Sequence, residues 1–428
     1  MPGLRRLLTP DAVRRYVEEQ CFRPSDRGLV GVELELLTYP ASDPRRRSRL
    51  ADVRAVADRT RLPGGSRITL EPGGQLEIST PPRPGLAEAL PAAGADLDAV
   101  SAALRAAGLI PVARGLDPLR APRRILDQPR YEAMEAYFDH DGFAGRTMMC
   151  STASLQVNLE LGPPAEVAAR WHLAHAVGPL LVAMFAHSPV PGGGGCGPRS
   201  ARQQVWSVMD ATRTGPVHLV PADGSGALSP AGADPAGEWL AYALAARVMM
   251  IRVSPDRFVT PSAGFDGDRL TFGAWMARGH ELGWPTLDDF EYHLTTLFPP
   301  VRPKGWLELR MLDALPDPWW RVAAAVATAL LEDAAAGAAA LEAVGPPPAG
   351  TGVADHWRSA ARHGLAHPAL RAAARAVFPA ALAGLARLGA DPVTMGAAEV
   401  FHDRFVLPGR CPADDPAWIP DVEAVPAY

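Results

Sequence analysis

At 428 residues, with 48 % hydrophobic and 21 % charged side chains, the chain is globular in composition and long enough for one broad sheet surrounded by helices. Its net charge of −5 argues against a nucleic-acid partner, and the one dense basic run, Arg45–Arg46–Arg47–Ser48–Arg49, reads as a solvated loop. Cys21, Cys150, Cys196 and Cys411 are widely spaced with no CxxC pair, which fits a reduced compartment and leaves no zinc site or disulfide framework.

A charged helix is expected over 9–20, without the apolar core of a signal peptide. Residues 29–37 alternate as a strand, 40–49 are loop and 50–59 helix. Residues 67–80 read as two strands around a Pro-Gly-Gly turn, stopped by Pro81–Pro82. Helices follow at 86–107 and 129–140, then a strand over 150–160. Helix 165–187, a glycine loop at 191–198, helix 200–211 and a buried helix 237–251 come next. Residues 286–296 mix helix and turn signals before a strand at 305–312. From about 319 the chain is alanine-rich helix (319–344, 350–379, 380–391), broken by Gly345–Pro346–Pro347–Pro348, and 408–428 is a proline- and acid-rich tail. The apolar stretches 173–186 and 322–344 are interrupted by His175 and Gly178, and by Glu332 and Asp333, so neither reads as a membrane span. A cytoplasmic protein of one domain, 1–428, is expected. Monomer and homodimer both stay open.

Alternation assigns the polar residues to faces, because residues two apart in a strand share one. Glu33 and Glu35 oppose Val32, Leu34 and Leu36. Gln75 and Glu77 oppose Leu76 and Ile78, with Glu71 across the turn. Gln156, Asn158 and Glu160 oppose Leu155, Val157 and Leu159. Trp306, Glu308 and Arg310 oppose Leu307 and Leu309. A solvated face would be mixed in character, yet these four segments contain no lysine. Five acids gathered on one surface call for cations, and a hard divalent ion accepts such an oxygen shell while coupling it to phosphates. Glu33, Glu35, Glu71, Glu77 and Glu308 are therefore candidate magnesium ligands. No Walker A sequence, GxGxxG, HExxH or GxSxG offers competing chemistry.

The segments GVELELL, TLEPGGQLEIST, MMCSTASLQVNLE, WSVMDATRTGP and EYHLTTLFPPVRPKGWLELRMLD, with the spacing between them, resemble the glutamate–cysteine ligases of the plant-type and actinobacterial branch, over roughly residues 28–320. The actinobacterial members supply γ-glutamylcysteine for ergothioneine synthesis. The resemblance implies an α+β, glutamine-synthetase-like fold, in which a curved, largely antiparallel sheet forms a funnel with helices outside. It also implies ATP and Mg²⁺, with L-glutamate and L-cysteine as substrates. On that likeness Glu33, Glu35, Glu71 and Glu77 serve the metal–nucleotide site, and Gln156 and Asn158 lie near the phosphates. Glu308 and Arg310 stand on the final active-site strand as catalytic residues. Arg302 and Lys304 are candidates to meet phosphate, Arg213 to recognise glutamate, and His293 to touch substrate. A ligase of the same mechanism using another amine, and a non-catalytic protein retaining the fold, are the alternatives.

Overall fold

Alternating apolar and polar residues produce strands with one buried face, and the chain uses them to build an antiparallel sheet of eight. Its strands are β1 (Leu29–Pro40), β2 (Arg67–Leu70), β3 (Leu76–Ser79), β4 (Arg83–Pro84), β5 (Leu109–Val112) and β6 (Ser154–Glu160). A separate hairpin of β7 (Ile251–Ser254) and β8 (Arg257–Val259) precedes the last two sheet strands, β9 (Val301–Pro303) and β10 (Trp306–Asp313). The order is β2-β3-β1-β6-β10-β9, with β4 and β5 paired to the two ends of β1. This computed structural model describes residues 8–190, 197–217, 233–261, 269–345 and 352–415. Cys196, most of the expected glycine loop and proline break, and the tail beyond 415 lie outside the described residues.

The four strands read from alternation are neighbours. Glu35 pairs with Glu77, Glu33 with Gln156, and Asn158 with Glu308, so the polar residues form one continuous floor. On the other face Val32, Ile78, Val157 and Leu309 are fully buried. Against them pack helices Gly85–Ala106, Val167–Phe185 and Trp319–Glu332. The buried apolar cluster they share runs from Val13 to Val406, so the alanine-rich C-terminal helices belong to the same core. The α+β expectation is met. A carboxylate at position 157 would face that core without a partner, so Val157→Asp should cost several kcal/mol, roughly 4 or more. Asn158→Ala, on the opposite face, should leave the melting temperature nearly unchanged and lower turnover. The reverse pattern in paired melting and activity measurements would show the faces exchanged.

Several boundaries differ from expectation. The third strand starts at Ser154 because Ala144–Ser151 is helical. The expected helix 237–251 ends at Ala245, and Ile251 opens β7. Helix 319–344 breaks at Asp333, whose carboxylate caps the next helix at Ala336 N (2.8 Å) and turns the chain by 95°. No break occurs at 379–380, since helix Pro368–Arg387 runs through Pro379. That helix is long and apolar enough to cross a membrane by composition, but 44 % of its apolar window is buried against protein.

One irregularity in the sheet bears on the site. In β10, Leu309 pairs with Val157 and the next paired residue, Leu312, with Leu155, so Arg310 and Met311 together face Gln156 in a bulge. Their carbonyls accept instead from helix Ala201–Ser207, from Arg202 Nη2 (2.9 Å) and Gln203 Nε2 (2.8 Å) respectively.

Candidate active site

Above the polar floor lies a cavity of about 330 Å³. Glu33 and Glu35 reach it from β1, Glu77 from β3, Gln156 from β6, and Glu308 and Arg310 from β10. Arg302 and Lys304 enter from β9 and the turn after it. Glu71 comes from the β2–β3 turn, closed by Gly74 N donating to Glu71 O (2.7 Å). Gly74 has φ +87°, and a Cβ on Gly73 would stand 2.1 Å from Cys150 O, so both positions require glycine. Gln75 Nε2 donates to Thr152 O (2.8 Å) and locks the hairpin to the start of β6.

The charges divide into two halves. In the acidic half, burial pushes the Glu33 carboxyl up to about 7, with Glu308 and Glu77 adding repulsion. Burial, then Glu77, raises Glu35, and burial with Glu35 and Glu77 raises Glu71 further. Glu35 accepts from Ser154 N (2.8 Å) and Oγ (2.7 Å), Glu33 from Asn158 Nδ2 (3.1 Å), and Glu77 from Thr69 Oγ1 (2.9 Å). Among the described residues none of Glu33, Glu35, Glu71 and Glu77 forms an ion pair with Lys, Arg or His.

The basic half surrounds Glu308. Burial opposes its ionisation, but Arg302, Arg310 and Lys304 outweigh it and hold the carboxyl far below the usual range. Arg302 donates to both of its oxygens (2.6 and 3.1 Å), Arg310 Nη1 to Oε2 (3.0 Å) and Lys304 Nζ to Oε1 (3.2 Å). Three cations against one carboxylate leave two positive charges in excess, facing the acids. Arg310 also donates to Gln156 Oε1 (2.6 Å), while its Nε is buried without a partner.

Arg202 completes the basic side. It is 2 % exposed, its guanidinium lies 4.6 Å from the Trp206 ring centroid, and its Nε and Nη1 have no hydrogen-bond partner. Buried donors are seldom left unsatisfied, because stripping them of water costs free energy that only a partner returns. Two such donors on a cation lining a cavity suit a carboxylate or phosphate.

The acidic half suits a divalent cation in chemistry: carboxylates lining the cavity, raised proton affinity at Glu33, Glu35 and Glu71, and no direct ion pair to a protein cation among the described residues. It is not a closed cage, since among the described residues no three His, Cys, Asp or Glu side chains form a group that could hold a metal ion. Glu33, Glu35, Glu71 and Glu77 remain the residues that would hold one. Glu308 is corrected as an open ligand. Both its oxygens already accept from cations, so as folded it anchors the basic cluster.

Two other expectations are corrected. Arg213 is fully buried away from the cavity, donating to Asp210 Oδ2 (2.9 Å), Thr296 O (2.8 Å), Tyr137 OH (3.2 Å) and Arg247 O. It ties the helix Pro129–Asp139 to the turn before β9 and has no donor for glutamate. His293 donates from Nε2 to Ala243 O (2.9 Å) and stacks on Phe272. Burial lowers its pKa to about 3, and it stays neutral inside the core. Asn158 lies on the floor just outside the cavity lining, between Glu33 and Trp306.

Among the lining residues that sequence reading missed, two groups come from helices. Arg130, Tyr131 and Met134 line the cavity from Pro129–Asp139, and Arg202 and Trp206 from Ala201–Ser207. One signal was present: Arg202 and Trp206 are four apart, which places them on one helix face.

A sequence model of glutamate–cysteine ligase family 2 matches residues 29–417, a span that takes in every strand of the sheet and the whole cavity lining. The chain belongs to the glutamate–cysteine ligase family. It is 40 % identical to the glutamate–cysteine ligase EgtA of Mycobacterium tuberculosis, across 94 % of this chain and 89 % of that one. With the EgtA of Mycolicibacterium smegmatis the identity is 42 %, across 91 % and 86 %. A chloroplastic glutamate–cysteine ligase of Oryza sativa is 33 % identical over 61 % of this chain and 50 % of its own length. Family membership makes the division of charge in the cavity intelligible, since a ligase must bring a carboxylate and a polyphosphate into contact.

Proposed function

We propose that the protein joins the side-chain carboxylate of L-glutamate to the amino group of L-cysteine, giving γ-glutamylcysteine, ADP and phosphate, and that it supplies ergothioneine synthesis. The observation that carries this reading is the cavity itself, with four unpaired acids on one side, a cationic surplus on the other and a buried arginine holding two free donors. It acts on small molecules in the cytoplasm, as one catalytic unit of 1–428, without nucleic acid or membrane.

A carboxylate does not acylate an amine until one oxygen becomes a leaving group. A glutamate γ-oxygen attacks the γ-phosphorus of ATP, the bond to the bridging oxygen breaks, and ADP departs. The cysteine nitrogen then attacks the acyl carbon, loses a proton and expels phosphate. Arg202 binds a carboxylate of glutamate and fixes its reach. Arg310, with Arg302 and Lys304 behind it, faces the phosphoryl group as charge spreads over its oxygens. Gln156 and Glu308 hold the Arg310 fork in place. Mg²⁺, held by Glu33, Glu35, Glu71 and Glu77, would screen the phosphate oxygens from the incoming carboxylate.

The test is ADP release with ATP, Mg²⁺ and glutamate against a panel of amines. Cysteine should support the fastest release, with one γ-glutamylcysteine formed per ADP. Chelation should remove activity, and Ca²⁺ should restore little, because its larger and looser shell positions phosphates poorly. Another amine as best acceptor would replace the cysteine assignment by that of a related carboxylate–amine ligase. Absence of ADP release with every amine would support the non-catalytic alternative. Full turnover in metal-free protein would remove the acidic floor from the mechanism.

A further inference from the structure

We propose that Trp306 is the platform on which the purine of the nucleotide stacks, a role that rests on the ligase reading above. Trp306 opens β10 on the same face as Glu308 and Arg310, paired with Glu160. Its neighbours Leu307 and Leu309 fill the core on the opposite face. Trp306 itself belongs to none of the buried apolar clusters and is 37 % exposed.

The ring is held in place all the same. Its Nε1 donates to Asn158 Oδ1 (2.9 Å), and Asn158 donates in turn to Glu33 Oε1 (3.1 Å), which fixes the indole edge to the cavity floor. Lys304 Nζ stands 5.2 Å from the ring centroid and 3.2 Å from Glu308 Oε1. One ammonium thus links the phosphate-facing cluster to the aromatic ring.

The order along the strand selects the occupant. Arg310 and Glu308 line the cavity, Trp306 at the start of the same strand lies outside the lining, and four residues of strand span about 13 Å. A nucleoside triphosphate with its terminal phosphate at Arg310 covers that distance; a single amino acid does not. Stacking suits a base because every base presents a π-face and needs no particular hydrogen-bond pattern from the platform.

The experiment measures binding of ADP and of inorganic tripolyphosphate, each with Mg²⁺, to the wild type, Trp306→Ala and Trp306→Phe by calorimetry. Trp306→Ala should weaken ADP by about tenfold or more, the range for losing one base–aromatic stack, and leave tripolyphosphate unchanged. Trp306→Phe, which loses the Nε1 bond but keeps a ring face, should retain most of the ADP affinity. In the ligase assay the KM for ATP should rise in parallel while kcat holds. Equal loss of both ligands in Trp306→Ala, or unaltered ADP binding, would overturn the platform while leaving ligase activity as the separate test of the wider reading. Wild-type protein that binds neither probe would overturn both.

Discussion

Arg310→Lys should keep the fold and bind ATP with a modest loss, yet turn over about a hundredfold or more slowly, the scale for removing one oriented electrostatic donor. The structure sharpens the reason. Arg310 spends Nη1 on Gln156 Oε1 and Glu308 Oε2, and its Nε remains unpartnered inside the cavity lining. A lysine keeps the charge but cannot hold Gln156 and Glu308 with one prong while presenting another to a phosphoryl oxygen. Because that second contact matters most as charge develops, the loss belongs in the rate and not in ground-state affinity. Rapid-quench measurement of phosphoryl transfer, beside a melting curve, decides the matter. A normal transfer rate, or a melting loss as large as the rate loss, would reduce Arg310 to a strand-edge tie.

The second large effect is expected at Arg202. Arg202→Ala should lower kcat/KM for glutamate by about a hundredfold or more, as follows when one partner of a buried, hydrogen-bonded charge pair is removed. Most of that loss should appear as a raised KM for glutamate, with the KM for ATP little changed. Arg202→Lys should recover only part, since a rigid planar guanidinium becomes one mobile ammonium. Arg202 also donates to Arg310 O, so a melting curve must accompany the kinetics. Equal increases in both KM values would show that Arg202 braces the bulge and does not bind glutamate.

The strand-borne part of the site was legible because period-two alternation is a local property. Reading Glu33 and Glu35 against Val32 and Leu34 required only neighbours in sequence, and the faces assigned to β1, β3, β6 and β10 are those observed. Their adjacency was not legible. Pairing Glu35 with Glu77 and Glu308 with Asn158 depends on long-range register that no single segment encodes. Arg213 was misplaced for a related reason. DATRTGP lies close in sequence to Arg202 and Trp206, but Asp210 and Tyr137 draw its guanidinium into the interior. Likewise His293 sits on the buried side of the capped helix Leu287–Leu294, where Ala243 O takes its ring proton. Glu308 was legible as an acid on the correct face, but the three cations converging on it come from three positions of a hairpin whose shorter strand, β9, alternation did not reveal.

The bulge in β10 has a consequence for what the cavity admits. Because the Arg310 and Met311 carbonyls are taken by Arg202 and Gln203, the arginine proposed to hold the acyl donor and the arginine that faces the phosphoryl group are clamped together through peptide oxygens. The gap between them is then a gauge set by two hydrogen bonds, each from a helix side chain to a strand carbonyl. A donor one methylene shorter than glutamate would meet only one end of that gauge, since the helix cannot slide inward without breaking both clamps. Chain-length discrimination in such a cavity then depends on Arg202 and Gln203 together, and substitution elsewhere in the lining leaves the gauge where it was.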